Sequence, residues 1–391
     1  MFAWRDGSGD VVAVSYGFLS TYPPTQCGLA TFTQALTRGI PIEDSGDRIG
    51  VVRVIDTPVT SHAPEIVGHL QTQAYISHRV AAEALRPFDV VIVQHRFDVF
   101  GGPDGDQVLA VLDAIHAPVV TIAHAVPGYP TVRQSTVLKQ VISASARVVA
   151  MSQAARARLI TEYGADPSKV ALIPHGAVSR PMSGRAGPGQ RPLVLTWGVL
   201  GPGKGIEWAI DGFQQLRRMN PRPAYIVAGR TDARVLREQG EVYRLRLRER
   251  ARSVGVSHLV RFAGTYLDEL ALDQLLGRTD VVLLPYDSRE QVVSGVLVEA
   301  LAAGRPVIAT AFPHAVELLS GGAGLIVPQF DAAAIGAALQ RVFTEPGLAG
   351  RMAAEAERIA PSLAWSAVSA EYRDLVASVL AVDAGSGRQS G

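Results

Sequence analysis

The chain is short of cysteine, of lysine, of aromatic residues and of net charge. A single cysteine, Cys27, among 391 residues excludes an intramolecular disulfide and any thiolate zinc cluster, and it fits a reducing cytoplasm. Lys and Arg number 37 against 36 Asp and Glu, a formal charge of +1, so the field of a nucleic-acid binder is missing and no nucleic-acid partner is expected. Lysine is reduced to Lys139, Lys169 and Lys204. The opening MFAWRDGSGD lacks a basic segment followed by an apolar run, so no secretory signal is expected. The stretch 114–132, free of charged side chains, holds three prolines and two histidines and does not read as a membrane span. None of the histidines falls in a metal-type pair on one helix, and no metal site is expected.

What is abundant is apolar material, 48% of the residues, with 38 Gly and 24 Pro. That is too much for disorder and too long a chain for one ordinary core, so two globular domains are the default. Strand-like runs open at Val11 (VVAVSY), Val51, Asp89 (DVVIVQH), Pro118 (PVVTIAH), Arg147 and Lys169 (KVALIPHG). Helical spacing fills stretches such as 74–85 and 107–115. The run 178–192, VSRPMSGRAGPGQRP, carries no periodicity, and beyond it the alternation restarts at Leu193 (LVLTWG), with a helix expected over 206–219. The fold class expected is α/β: two Rossmann-like parallel α/β domains facing across a cleft, with the loops after the strands carrying the chemistry. The boundaries read as a domain over 1–178, a linker over 179–191, and a second domain over 192–365. A C-terminal helix over 366–382, packing back on the first domain, and a flexible tail over 383–391 complete the chain.

The strongest motif is residues 285–310, PYDSREQVVSGVLVEALAAGRPVIAT, which reads strand, loop, helix, Gly stop, strand. Ser294 and Gly295 supply an N-cap, and Gly304 a stop. A helix that opens past a strand end aims free N–H groups and a positive dipole outward, which suits a diphosphate. Glu299, one turn in, could accept hydrogen bonds from ribose hydroxyls; its bland reading is a solvated helix residue. The loop Gly198-Val-Leu-Gly-Pro-Gly-Lys204-Gly205 resembles a phosphate loop, but Gly205 stands where Ser or Thr would hold magnesium, which leaves a P-loop kinase or ATPase as a rival. Residues 21–33 follow the first strand, and Gly28 there could admit a ligand close to the backbone. His95 and His124 each end a buried strand. Asp104 and Asp106 are explained by a turn ahead of a helix, and the basic stretch 243–252 by a solvated helix face.

On these residues the chain resembles the retaining GT-B glycosyltransferases, the large class that includes bacterial mannosyltransferases, sucrose synthases and glycogen synthases. The likeness runs from Gly28 to the Trp365 region and is most specific over 285–310, which is similar to the family's Glu, seven residues, Glu signature. The second Glu falls on Glu299 and the first on Gln291. The resemblance implies that Lys204 and the helix start at Ser294, Gly295, Val296 and Leu297 hold the pyrophosphate, that His124 faces the sugar, and that Gly28 closes over the phosphates. His124, Lys204 and Gln291 are then the catalytic set. Gly198, Arg230, Gly264, Thr265 and Tyr266 join the donor contacts, with Arg230 standing in for an Arg that the family has where this chain has Val199. Acceptor contacts are expected from His95, Arg96, Asp98, Tyr129 and Arg133. The implied activity is metal-independent, cofactor-free hexosyl transfer from a nucleotide-sugar donor, GDP-mannose before UDP-glucose, to an oligosaccharide or glycoside acceptor. The rivals are a nucleotide-sugar epimerase and a sensor that binds donor without turnover.

Overall fold

The computed structural model describes residues 13–41, 45–57, 63–72, 74, 76–180 and 191–386. The chain divides into two units, Met1–Gly176 with Trp365–Gly391, and Ala177–Ala364.

The first unit is built on a seven-stranded parallel sheet of β1 (Ser15–Ser20), β2 (Arg48–Ile55), β3 (Ile66–Gln71), β4 (Val90–His95), β5 (Val119–Ala123), β6 (Arg147–Ala150) and β7 (Val170–Leu172), in the order β3-β2-β1-β4-β5-β6-β7. β4 is buried at every position, as a parallel strand covered on both faces must be. The first strand is displaced from the expected VVAVSY to SYGFLS, and Val11 and Val12 lie outside the described residues. Its polar and glycine positions hide it in the sequence. Ser15 and Ser20 are buried because Oγ of Ser15 bonds Asp89 at 2.6 Å and Oγ of Ser20 meets that of Thr33 at 2.8 Å. Gly17 looks like a terminator but lies mid-strand, where a Cβ would come within 2.9 Å of Leu85. β3 (IVGHLQ) went unrecognised in the sequence because it is a half-exposed edge strand.

The helix Trp365–Ser386 belongs to this unit and packs on the helix Gly28–Gly39. Nη1 of Arg373 donates to the carbonyls of Gly39 (2.9 Å) and Ile40 (3.2 Å), a cation at a helix C-terminus.

The second unit carries β8 (Leu193–Trp197), β9 (Ala224–Ala228), β10 (Val260–Ala263), β11 (Val281–Leu284), β12 (Val307–Thr310) and β13 (Gly324–Val327), all parallel, in the order β10-β9-β8-β11-β12-β13. Alternate residues feed opposite layers: Val194, Val281 and Leu283 enter one core, and Leu195, Val282 and Leu284 the other. Each such side chain contributes roughly 1.5–3 kcal/mol of burial free energy. The helix expected over 206–219 is instead an α-helix, Ile206–Gly212, continued as the 3₁₀ turn Phe213–Arg218. At the junction Gly212 lies against the helix Ala332–Thr344, where a Cβ would come within 2.8 Å of the Ala332 carbonyl oxygen. The helix Val242–Ser253 is not a plain solvated face, since Tyr243, Arg244, Leu247 and Ala251 are buried.

Residues 181–190 of the expected linker and 387–391 of the expected tail lie outside the described residues. Among the described residues, no helix is long and apolar enough to cross a membrane.

Each sheet reverses its strand order at one place: between β1 and β4 in the first unit, and between β8 and β11 in the second. Open parallel sheets bind ligands at such points, outside the carboxyl ends of the strands. The loops that follow these four strands are 21–27, 96–102, 198–205 and 285–294, and they contain Arg96, Asp98, Gly198, Lys204, Gln291 and Ser294.

Candidate active site

In the second unit the site is assembled from the loops after β8 and β11. Gly198, Gly203 and Gly205 have φ of 117°, 88° and 62°, left-handed values that favour glycine. At Gly205 the requirement is absolute, because a Cβ would sit 1.7 Å from the Pro285 carbonyl oxygen. This corrects the P-loop reading, since no Ser or Thr fits where that motif needs a magnesium ligand. The N–H of Asp287 donates to the Gly203 carbonyl at 3.0 Å and locks the two loops together. Lys204 then lies with Nζ 4.2 Å from the centre of the Tyr286 ring. Stacking on an aromatic face holds an ammonium without neutralising it.

Ser294 caps the helix Gly295–Ala302 as expected, its Oγ accepting from the N–H of Leu297 at 3.3 Å. The Val298 N–H goes to the Ser294 carbonyl, whereas those of Gly295 and Val296 are taken by no described residue. Two unused donors at a helix N-terminus make a place for an anion. Ser294 is itself pinned by a residue the sequence reading missed: its N–H donates to Nδ1 of the buried His314 at 2.9 Å. Gln291 turns inward, with Nε2 donating to the Val293 carbonyl at 3.2 Å.

Glu299 is not the solvated helix residue of the bland reading. Its side chain is 19% exposed and ion-paired to Arg180, which also pairs with Asp273. Burial raises the Glu299 pKa, and Arg180 opposes the shift. The loop after β10 leaves Gly264, Thr265 and Tyr266 exposed. Arg230 follows the crossing where Gly229 passes the Gly198 carbonyl so closely that a Cβ would come within 1.9 Å.

In the first unit the chemistry is imidazole and aromatic. Phe32 lies edge-on to His124, His175 and Trp365, each at 4.9 Å between ring centres. Nε2 of His124 bonds Oε1 of Gln94, which can only accept, so Nε2 carries the proton and Nδ1 offers a lone pair. Burial, then His175, Arg96 and His95, push the His124 pKa well down and keep the ring neutral. His175, whose Nδ1 donates to the Gly176 carbonyl at 2.7 Å, is lowered to about 4 by burial. It ends the run KVALIPHG as His95 and His124 end theirs, and that position was the signal for it.

His95, expected among the acceptor contacts, is 0% exposed and packed against Phe97 and Phe100, because β4 carries it under the loop that follows. Arg96 pairs with Asp98, and Arg133 with Asp106; Tyr129 is 89% exposed. Gly28 is exposed with open space around it. Asp104 and Asp106 sit in a tight turn before the helix Gln107–Ala114. Among the described residues, no group of three His, Cys, Asp or Glu side chains is placed to hold a metal.

Residues 36–178 match the family described as "Glycosyltransferase Family 4", and residues 191–345 that described as "Glycosyl transferases group 1". The chain belongs to the GT-B glycosyltransferases. Its similar curated proteins include a D-inositol 3-phosphate glycosyltransferase from Kineococcus radiotolerans, 29% identical over 59% of this chain and 57% of the relative. A mannosylfructose-phosphate synthase from Agrobacterium fabrum is 26% identical over 56% of this chain and 50% of the relative. The chain thus spans about half the length of the curated relatives it matches. Among solved structures, a sucrose-phosphate synthase from Thermosynechococcus elongatus superposes with TM-score 0.74 at 17% identity, covering 94% of this chain and 100% of that one. Anabaena HepE, solved in complex with UDP, gives 0.71 at 16% identity, with 93% and 100% covered. At that identity the GT-B likeness is one of fold.

Proposed function

We propose that this GT-B chain is a retaining, metal-independent hexosyltransferase that uses a nucleoside-diphosphate sugar. The observation that carries the reading is the second unit's switch point. There Lys204, stacked on an aromatic ring, stands on a loop locked to its neighbour, and the helix that follows carries two unused N–H groups and a largely buried carboxylate, Glu299. The cation and N–H groups take the diphosphate, Glu299 takes the ribose, and the loop at Gly264, Thr265 and Tyr266 takes the base. GDP-mannose is the donor proposed, with UDP-glucose as its rival.

In the proposed step the C1–O bond to the diphosphate breaks, the acceptor hydroxyl oxygen bonds C1 on the same face, and its proton passes to the departing phosphate oxygen. Lys204 and the helix N-terminus stabilise the charge growing on the leaving group, where one lost donor typically costs roughly 10²–10³ in rate. His124, neutral and offering Nδ1, accepts a hydrogen bond from a sugar hydroxyl. The acceptor falls to the first unit. Two relatives' names carry a phosphorylated polyol or sugar, so phosphorylated acceptors belong in the panel beside plain glycosides.

The test is thermal unfolding with GDP, UDP and ADP, each with magnesium and with EDTA, followed by transfer of labelled hexose. A ligand at about 100 times its dissociation constant adds about 2.7 kcal/mol of stability. GDP or UDP acting equally with and without magnesium, followed by transfer, is the expected result; no stabilisation by any of the three overturns the reading. The second reading, a sensor that binds donor without turnover, is favoured by one contact, the Gln291 amide spent on the Val293 carbonyl. Any hexose transfer removes it.

A further inference from the structure

The family motif draws attention to Glu299 but not to what surrounds it. Arg180 stands just after the start of the second unit, far in sequence from both of its acids, and its side chain is only 8% exposed. It spends one arm on Asp273, from the helix Glu269–Gly277, and Nη1 on both Oε2 of Glu299 and the Val178 carbonyl, the latter at 3.2 Å. The Val178 backbone also bonds to Glu299. Anchors on two helices and on its own backbone segment hold the guanidinium in place. Oε2 of Glu299 is the oxygen that Arg180 holds, and the carboxylate remains partly exposed.

We infer that Arg180 is a positioning residue, and that its guanidinium, fixed by Asp273 and the Val178 carbonyl, aims the Glu299 carboxylate to accept the donor's ribose hydroxyls. A planar fork suits this task better than an ammonium, because it bonds two acids in a fixed plane. A buried carboxylate left without its cation takes up a proton and becomes a weaker acceptor. Arg180 and Asp273 are the charged groups acting on Glu299. On the helix Leu348–Leu363, which packs along the helix Gly295–Ala302, Arg358 and Glu355 pair with each other at the surface.

The inference rests on the reading of the second unit as a nucleotide site, and the experiment separates the two. Affinities of the intact protein are measured by calorimetry for UDP and GDP, and for the 2′,3′-dideoxy form of whichever binds. Wild type that binds neither nucleotide fails the functional reading and with it this one. Wild type is expected to lose about 10- to 100-fold in affinity when the hydroxyls are removed. In Arg180→Met the penalty should shrink to about 3-fold or less at neutral pH and grow again as the pH is raised and Glu299 ionises. Arg180→Lys, which keeps the charge and loses the fork, should fall between. Equal weakening of both ligands by Arg180→Met, with the hydroxyl penalty intact, would show a merely structural residue and overturn the inference. Should Arg180→Met not fold, Arg180→Lys decides: a penalty below that of wild type supports the positioning role, and an unchanged one overturns it.

Discussion

The two units share a sheet architecture and a strand-order reversal, yet they furnish the carboxyl ends of their strands by different means. In the second unit the backbone does the work: left-handed glycines, a loop locked by the Asp287 N–H, and a capped helix present fixed dipoles. In the first unit side chains do it, with neutral imidazoles wedged against Phe32 and Trp365 and exposed polar residues outside them. A diphosphate is the same in every donor, so rigid backbone geometry can serve it. An acceptor differs from enzyme to enzyme, and exchangeable side chains on a packed floor can follow it. If that contrast is right, small changes to backbone space should ruin the second unit, while the first should be sensitive to protonation.

The largest effect expected is from Gly205→Ser, the change that would complete a phosphate-loop motif. Left-handed φ costs a non-glycine residue roughly 1–2 kcal/mol, and overpacking adds about 1–3 kcal/mol. With a Cβ only 1.7 Å from the Pro285 oxygen the clash lies at the severe end. Denaturant unfolding should show a loss of about 4 kcal/mol, and a loss under about 1 kcal/mol would mean that the two loops are not locked as described.

Next comes Lys204→Met, which keeps the stacking on Tyr286 and removes the charge. kcat/KM for transfer should fall by about 10²–10³, with unfolding free energy nearly unchanged. Arg230→Ala is the companion: if it leaves transfer intact while Lys204→Met abolishes it, Arg230 is not the substitute for the arginine missing at Val199.

The first unit is challenged with acid. His95 has its pKa lowered from 6.5 to about 4 by burial. Below about pH 6.5 the unfolded chain gains a proton that the folded ring refuses, so stability is full above that pH and is lost as the pH falls toward 4, by about 3 kcal/mol for this group. His95→Leu should flatten the acid limb of the stability curve by about one proton's worth. An acid limb as steep as that of wild type would show that His95 is already satisfied or solvated.

The same contrast governs what could be read in the sequence. The second unit's loop and cap geometry was legible because glycines at 198, 203 and 205 and the cap at Ser294 are local signals whose spacing means the same thing in any fold. Most parallel strands were legible for the same reason, but not the half-exposed edge strand β3, nor β1, where polar side chains found buried partners: SYGFLS does not look like a central strand until Asp89 and Thr33 are seen beside it. Arg180 and His314 could not be read, because each matters through a residue distant in sequence, 119 positions away for Arg180 and 20 for His314. The burial of His95 could not be read, because a strand-end histidine looks alike whether the next loop exposes it or covers it.

The smallest effect separates transferase from sensor most directly. The resemblance assigns Gln291 to the place of the family's first Glu, and its amide donates to the Val293 carbonyl. A carboxylate there cannot donate, so Gln291→Glu loses that bond and sets a negative charge against a carbonyl oxygen, at a cost of about 1 kcal/mol by denaturant unfolding. The freed side chain would then turn toward the site. Should the transferase reading hold, Gln291 is a sugar contact that already works through its amide, and Gln291→Glu should change kcat/KM by less than about tenfold. A variant that transfers hexose where wild type does not would show instead that the amide had silenced the site, and the sensor reading would replace the transferase one.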